Sequence, residues 1–276
     1  MSRKQRSTRA TSRFSRTSAN SVRSPRGWAV LGGLLGGLTM LGLQAPAAWL
    51  ASGVNSATKG QVQLQQARGT LWNGSAQLVL TGGEGSSDQV ALPGRLNWQL
   101  RPAFVGANVA LNADCCTTTP VRMHAGLRWN GMQLQVANSQ SQWPSAVLSG
   151  LGTPWNTIQP QGRLSLETTN LQIDWNAGRM ALQGDLQLDA LDVSSKLSTL
   201  SPMGSYRVSV HGGDSPTLSL TTLSGALLLN GSGQWVGQRL RFTGEAKAAP
   251  GSESALANLL NILGRRTGDR SILTVG

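Results

Sequence analysis

Two patterns of apolar and polar positions divide the chain. From Trp28 to Leu50 the sequence WAVLGGLLGGLTMLGLQAPAAWL is uncharged, and no charge occurs from Gly27 to Thr58. Beyond residue 60 the pattern changes to period two. Apolar residues alternate with polar ones at Val62 and Leu64, Leu96-Trp98-Leu100, Met132-Leu134-Val136 and Leu164-Leu166. The same holds for Leu171-Ile173-Trp175, Leu186-Leu188, Tyr206-Val208-Val210, Leu218-Leu220, Leu227-Leu229 and Leu240-Phe242. Successive side chains of a strand point to opposite faces, so this alternation predicts half-buried antiparallel strands with one apolar and one wet face. The fold class expected is mainly β: one N-terminal transmembrane helix, then a twisted or curved antiparallel sheet with a short C-terminal helix.

Turn chemistry supports strands. Asn73-Gly74, Asn130-Gly131 and Asn230-Gly231 read as type I′ hairpin turns, in which both central residues take positive φ. The C-terminal helix is expected after Ser252 as cap, with Glu253 in its first turn. Leu256, Leu259, Leu260 and Leu263 recur at helical spacing, and Gly264 stops it. A shorter helix or turn is expected over 143–151.

Charge gives the uncharged stretch a meaning. The chain has 24 Lys+Arg against 12 Asp+Glu, a formal net charge of +12. Eight of the basic residues (Arg3, Lys4, Arg6, Arg9, Arg13, Arg16, Arg23, Arg26) fall within residues 1–27, which hold no acid. That segment reads as a disordered basic cytoplasmic tail. Residues 28–50 read as a transmembrane helix of about 34 Å, against a hydrocarbon core of about 30 Å. Trp28 and Trp49 serve as interface anchors, and the Lys/Arg asymmetry leaves the N-terminus in the cytoplasm and residues 52–276 in the periplasm. A cleaved signal peptide is the competing reading, with Ala45-Pro46-Ala47 as the small-residue motif. Binding of nucleic acid by the tail is disfavoured, because Phe14 is its one aromatic residue. Gly32, Gly33, Gly36 and Gly37 form two overlapping small-xxx-small pairs that would let a second membrane helix pack closely.

The chemistry available is sparse. No nucleophile elbow, metalloprotease helix, phosphate loop or C-x-x-C occurs. His124 and His211 stand 87 positions apart, and no cofactor or metal is implied. Cys115 and Cys116 are adjacent and could close a vicinal ring or pair with other chains. Six of the nine Trp lie from residue 72 to 175. They either fill the apolar face or line a partner or ligand surface, for which Trp72, Trp98 and Trp129 are the candidates.

Several blocks together resemble a known family. They are Arg68-Gly69-Thr70-Leu71-Trp72-Asn73-Gly74, Gly94-Arg95-Leu96-Asn97-Trp98-Gln99-Leu100-Arg101-Pro102, Gly231-Ser232-Gly233-Gln234-Trp235 and Phe242-Thr243-Gly244-Glu245-Ala246. The chain resembles protein N of the bacterial type II secretion system over roughly residues 28–270. The resemblance implies a single-pass inner-membrane protein with a periplasmic domain, an accessory role beside other secretion subunits, and no catalytic residues. That family is also similar to larger periplasmic bridging proteins with an apolar trough for lipid. Two functions follow as expectations: a non-catalytic interaction subunit, with strand addition at an open edge as one contact mode, or a lipid-binding groove. An enzyme is the third and weakest.

Overall fold

The computed structural model describes residues 26–276 apart from Glu84, Ala177, Gly178 and Gln238. The expected basic tail therefore lies outside the described residues, save for its last two positions. The chain divides after Leu43 into two units.

The first unit contributes α1 (Arg26–Leu43). Its large side chains are exposed, from Trp28 at 76% to Leu43 at 69%. The second unit opens with α2 (Ala47–Ala57). The uncharged stretch is thus two helices, where one helix over 28–50 was expected. Pro46 is the physical cause. It lacks an N–H, it sits extended at φ −69° and ψ 147°, and it disfavours helix at the preceding residue. Among the described residues no helix is long and apolar enough to cross a membrane.

The alternating region forms one antiparallel sheet of sixteen strands. Its first half comprises β1 (Val62–Gly69), β2 (Asn73–Thr81), β3 (Gln89–Ala91), β4 (Leu96–Ala103), β5 (Gly106–Ala113), β6 (Val121–Arg128), β7 (Gly131–Val136) and β8 (Ser139–Pro144). A 3-10 helix (Ser145–Leu151) and α3 (Trp155–Ile158) follow. Its second half comprises β9 (Gln161–Asn176), β10 (Arg179–Ser194), β11 (Gly204–Gly213), β12 (Thr217–Gly225), β13 (Leu227–Val236) and β14 (Arg239–Ala248). Then come α4 (Glu253–Leu263), β15 (Arg265–Thr267) and β16 (Arg270–Val275). The order follows the chain except that β3 and β8 pair off the main path, on β2 and β9, and β16 lies between β14 and β15; β1 is at one edge and β15 at the other. β7 and β8 lie in line along β9. The two apolar runs at 164–166 and 171–175, expected as separate strands, are one strand, β9.

Register carries one apolar face across the sheet. Leu100, Val109, Met123 and Val136 are direct cross-strand partners in turn. So are Leu134, Ile173 and Leu182. Farther on, Leu188 faces Val208 and Val208 faces Leu220. Helices cover three patches of this face. α2 lies over Ala76 and Trp98. The 3-10 helix brings Val147 to Leu92, Ala113 and Cys116. α4 seats Leu256, Leu259 and Leu260, all at or below 1% exposure, over Met203, Tyr206, Leu227, Ala246 and Ala248. Each such leucine contributes about 1.5–3 kcal/mol of burial.

α4 confirms the helical spacing at 256–263, but its ends differ from expectation. Ser252 makes no side-chain cap, and Gly264 leaves the helix extended at φ −174°. Glycine is required at 264 because a Cβ there would meet the carbonyl of Ile272.

None of the three Asn-Gly pairs is the central pair of a turn. Asn73 and Gly74 open β2, Asn230 and Gly231 lie inside β13, and the β6–β7 loop is Trp129-Asn130, with Gly131 already paired to Arg128. None of these residues has positive φ. The glycines instead admit a close neighbour from the next strand. A Cβ on Gly231 would lie 2.5 Å from Cζ of Phe242, and one on Gly74 would lie 2.5 Å from Cζ2 of Trp98.

The strands give the sheet two unlike ends. At one, the hairpin end, β4–β5 turns through Phe104-Val105 and β6–β7 through Trp129-Asn130. The β9–β10, β11–β12 and β13–β14 hairpins turn there too, and the β1–β2 turn at 70–72 joins them. The opposite, helix end carries the longer connections, the 3-10 helix, α3 and α4.

Candidate interaction surface

The block Arg68–Gly74 works as a clasp. Gly69 takes φ +86°, and Thr70 Oγ1 accepts the Asn73 N–H at 3.1 Å. The turn between them presents backbone groups to two other segments. Leu71 N–H donates to the carbonyl of Ala45 (2.7 Å), the Trp98 indole N–H donates to the carbonyl of Leu71 (3.1 Å), and Leu100 N–H donates to the carbonyl of Trp72 (2.7 Å). The start of α2, the β1–β2 turn and β4 are thereby one unit. Arg95 ties the same region from the other side. Its guanidinium donates to the carbonyls of Gln66 (2.9 Å) and Ser75 (3.0 Å) and to the Ser75 hydroxyl (3.1 Å). Gln66, at φ 50°, is the bulge in β1 that this strap holds.

The three candidate tryptophans part company. Trp98 is 2% exposed and belongs to the core under α2. Trp72 is half-buried in the clasp. Trp129 is fully exposed at the tip of the β6–β7 hairpin, at 105%. Phe104, at 106%, stands on the neighbouring β4–β5 tip. No periodicity singled it out, because Phe104 lies in a loop between two strands.

A groove of about 860 Å³ runs across β4, β5, β6, β7 and β9, and Val109, Met123 and Val136 line it together with polar residues. Arg101, Arg122, His124, Gln135, Asn138 and Gln172 are among its lining residues. His124 Nδ1 and Asn108 Oδ1 are 2.8 Å apart, Gln135 donates to Gln172 Oε1 (3.3 Å), and Gln172 donates to Asp174 Oδ2 (2.7 Å). Such a row of amides with two guanidinium groups can donate and accept hydrogen bonds along an extended polar segment. Among the described residues no three His, Cys, Asp or Glu side chains converge to hold a metal ion.

The family model for type II secretion system protein N matches residues 60–274. The chain belongs to that family. The match begins just before β1 and ends one residue short of the end of β16, so it takes in all but the last residue of the sheet. No curated protein and no solved structure matches the chain. As a protein N family member it is assigned to type II secretion, as an accessory component associated with other parts of the machine.

In this light the blocks that carry the resemblance are chiefly architectural. Arg68–Gly74 and Gly94–Pro102 build the clasp. Phe242 covers Gly231 and Gly233, Glu245 pairs with Arg270 (3.1 Å), and Ala246 is buried in the core under α4. Of the two remaining chemical candidates, His211 is exposed on β11 and the cysteine pair lies in the β5–β6 loop of this protein N sheet. His211 pairs with Asp185 across β10 and β11 (2.6 Å). Cys115 and Cys116 form a vicinal disulfide, with Cys116 in the core beneath the 3-10 helix.

The four glycines of the expected small-xxx-small pairs lie on α1. Gly32, Gly33, Gly36 and Gly37 each have open space where a Cβ would stand, and Thr39 returns its hydroxyl to the carbonyls of Leu35 and Gly36 (both 2.9 Å). Trp28 lies on α1, whereas Trp49 lies on α2, 57% exposed.

Proposed function

We propose that this chain is a non-catalytic accessory subunit of the type II secretion machine, held in the bacterial inner membrane by α1. Its N-terminus is cytoplasmic and its sheet unit periplasmic. The family match over the sheet carries this reading. The 18 residues of α1 reach about 27 Å, a little short of a typical hydrocarbon core, and local thinning or flanking residues accommodate such a helix. The eight basic residues of 1–27 favour the orientation given.

Contacts with other subunits are supported by three features. β1 ends the sheet order with eight residues and offers an edge for strand addition. The groove, with its amides and guanidinium groups beside apolar residues, suits an extended segment. The glycine stripes of α1 suit a second membrane helix.

Loss of the protein is expected to leave enzymes that are normally exported trapped in the periplasm, and the full chain should restore their release. Normal release in its absence would overturn the proposal. Replacement of Gly36 by Leu should abolish cross-linking between α1 and a membrane partner, and unchanged cross-linking would remove that part of it.

A second reading, a lipid or apolar-ligand groove, is favoured by one observation. Near the hairpin end the apolar face is open, with Leu127 at 61%, Met132 at 51% and Trp175 at 39% exposure. Lipid co-purifying with the full chain, identified by mass spectrometry, would favour this reading over the first.

A further inference from the structure

We propose that the hairpin end of the sheet rests on the lipid bilayer, with Phe104 and Trp129 in the interfacial layer and nearby arginines against anionic headgroups. The inference rests on the reading of α1 as a membrane anchor.

Phe104 and Trp129 occupy adjacent hairpin tips and are fully exposed. Val105 (52%) shares the first tip, and Val236 (47%) and Val275 (55%) are exposed at the same end of later strands. Scattered apolar side chains are ordinary on a protein surface. Here they gather at one end of the strands. Aromatic side chains with an apolar body favour the membrane–water interface, where the ring is desolvated without entering the hydrocarbon core.

Charge follows the same geography. Arg68, Arg101, Arg128, Arg239 and Arg241 all stand within a few residues of these turns. Of the acids nearest them, Asp185 pairs with His211 and Asp174 accepts from Gln172, while Asp214 stands in the β11–β12 turn at this same end, so five arginines face three carboxylates there. A basic, aromatic-tipped surface complements an anionic leaflet.

Connectivity sets the distance. The carbonyl of Ala45 accepts the Leu71 N–H in the hairpin-end clasp. Leu43, the last residue of α1, precedes Ala45 by two positions along the chain. A body tethered so closely can reach the bilayer with this end first. The helix end, where Lys196 and the 3-10 helix lie, is the length of the strands away.

The test uses the full chain in vesicles of phosphatidylethanolamine and phosphatidylglycerol containing a nitroxide-labelled lipid. A fluorescent amino acid is placed in turn at Phe104, at Leu38 in α1 and at Lys196. Strong quenching at Phe104 and at Leu38, with Lys196 bright, is the expected result. Exchange of phosphatidylglycerol for phosphatidylcholine, or Arg128→Gln with Arg239→Gln, should cut the quenching at Phe104 by about half. A bright Phe104 probe with a quenched Leu38 probe overturns this proposal and leaves the anchor standing. Both probes bright overturns both. Quenching at Phe104 with a bright Leu38 probe supports docking and removes the anchor. Equal quenching at Lys196, or a Phe104 probe that is shielded only when other secretion subunits are added, also overturns lipid docking.

Discussion

Trp98 lies across Gly74, its direct partner on the neighbouring strand, and its indole N–H reaches past that glycine to the carbonyl of Leu71. The pair seals the α2 patch of the core. A side chain at 74 would strike the ring and also come within 2.7 Å of the Arg68 carbonyl. Gly74→Val is therefore expected to destabilise the sheet unit by at least about 2 kcal/mol, and Trp98→Ala by about 3–5 kcal/mol. Urea denaturation measures both, and a Gly74→Val midpoint equal to wild type would refute the contact.

Asp189 and Arg207 are also direct cross-strand partners, joined by two parallel hydrogen bonds of 2.7 Å each. The hydrogen bonds from Arg207 hold the Asp189 carboxyl below its usual range, against the opposing effect of burial. Its folded-state pKa is depressed, so the stabilisation is complete at neutral pH and fades as pH falls below about 4. Asp189→Asn should cost about 1 kcal/mol at pH 7 and progressively less on acidification. A difference that is constant with pH would count against this assignment.

Tyr206 is buried beneath α4, and its hydroxyl has no hydrogen-bond partner among the described residues. Burial pushes its pKa well above the ordinary phenol value. The group is kept neutral in the folded state, so stability holds below about pH 10 and declines as the unfolded phenol ionises above it. Tyr206→Phe removes an unsatisfied polar atom and is expected to be neutral or stabilising by up to about 1 kcal/mol, with a flatter alkaline profile. Marked loss of stability at pH 7 would show that the hydroxyl has a partner.

Leu259 and Leu256 bind α4 to the sheet from positions that are at most 1% exposed. Leu259→Ala should cost about 2–5 kcal/mol. Exposed Ile262 lies on the same helix, and Ile262→Ala should cost less than about 1 kcal/mol. Equal losses at the two sites, measured by thermal unfolding, would mean that α4 does not dock on the sheet as described.

Period-two alternation by itself determined that the chain after residue 60 is antiparallel sheet with one apolar face, and helical spacing determined α4. Both are local: a side chain's direction follows from its place in the strand or turn. The charge boundary after Gly27 and the blocks shared with protein N were equally legible. What required tertiary structure were relations between segments distant in sequence. Asn-Gly pairs read as turns because glycine tolerates positive φ, yet Gly74 and Gly231 answer to Trp98 and Phe242, which arrive from another strand. Pro46, by contrast, is a local helix breaker that the sequence itself displays, and it splits the uncharged stretch into two helices although mean hydropathy does not register it. The short, polar strands β3, β8 and β15 have too few apolar positions to show a period and exist because a partner strand pairs with them. The division of the tryptophans, Trp98 to the core and Trp129 to a tip, was decided by where each strand ends. The gathering of Phe104, Trp129 and the arginines at one end was decided by topology, since only the up-and-down order of the strands brings those turns together.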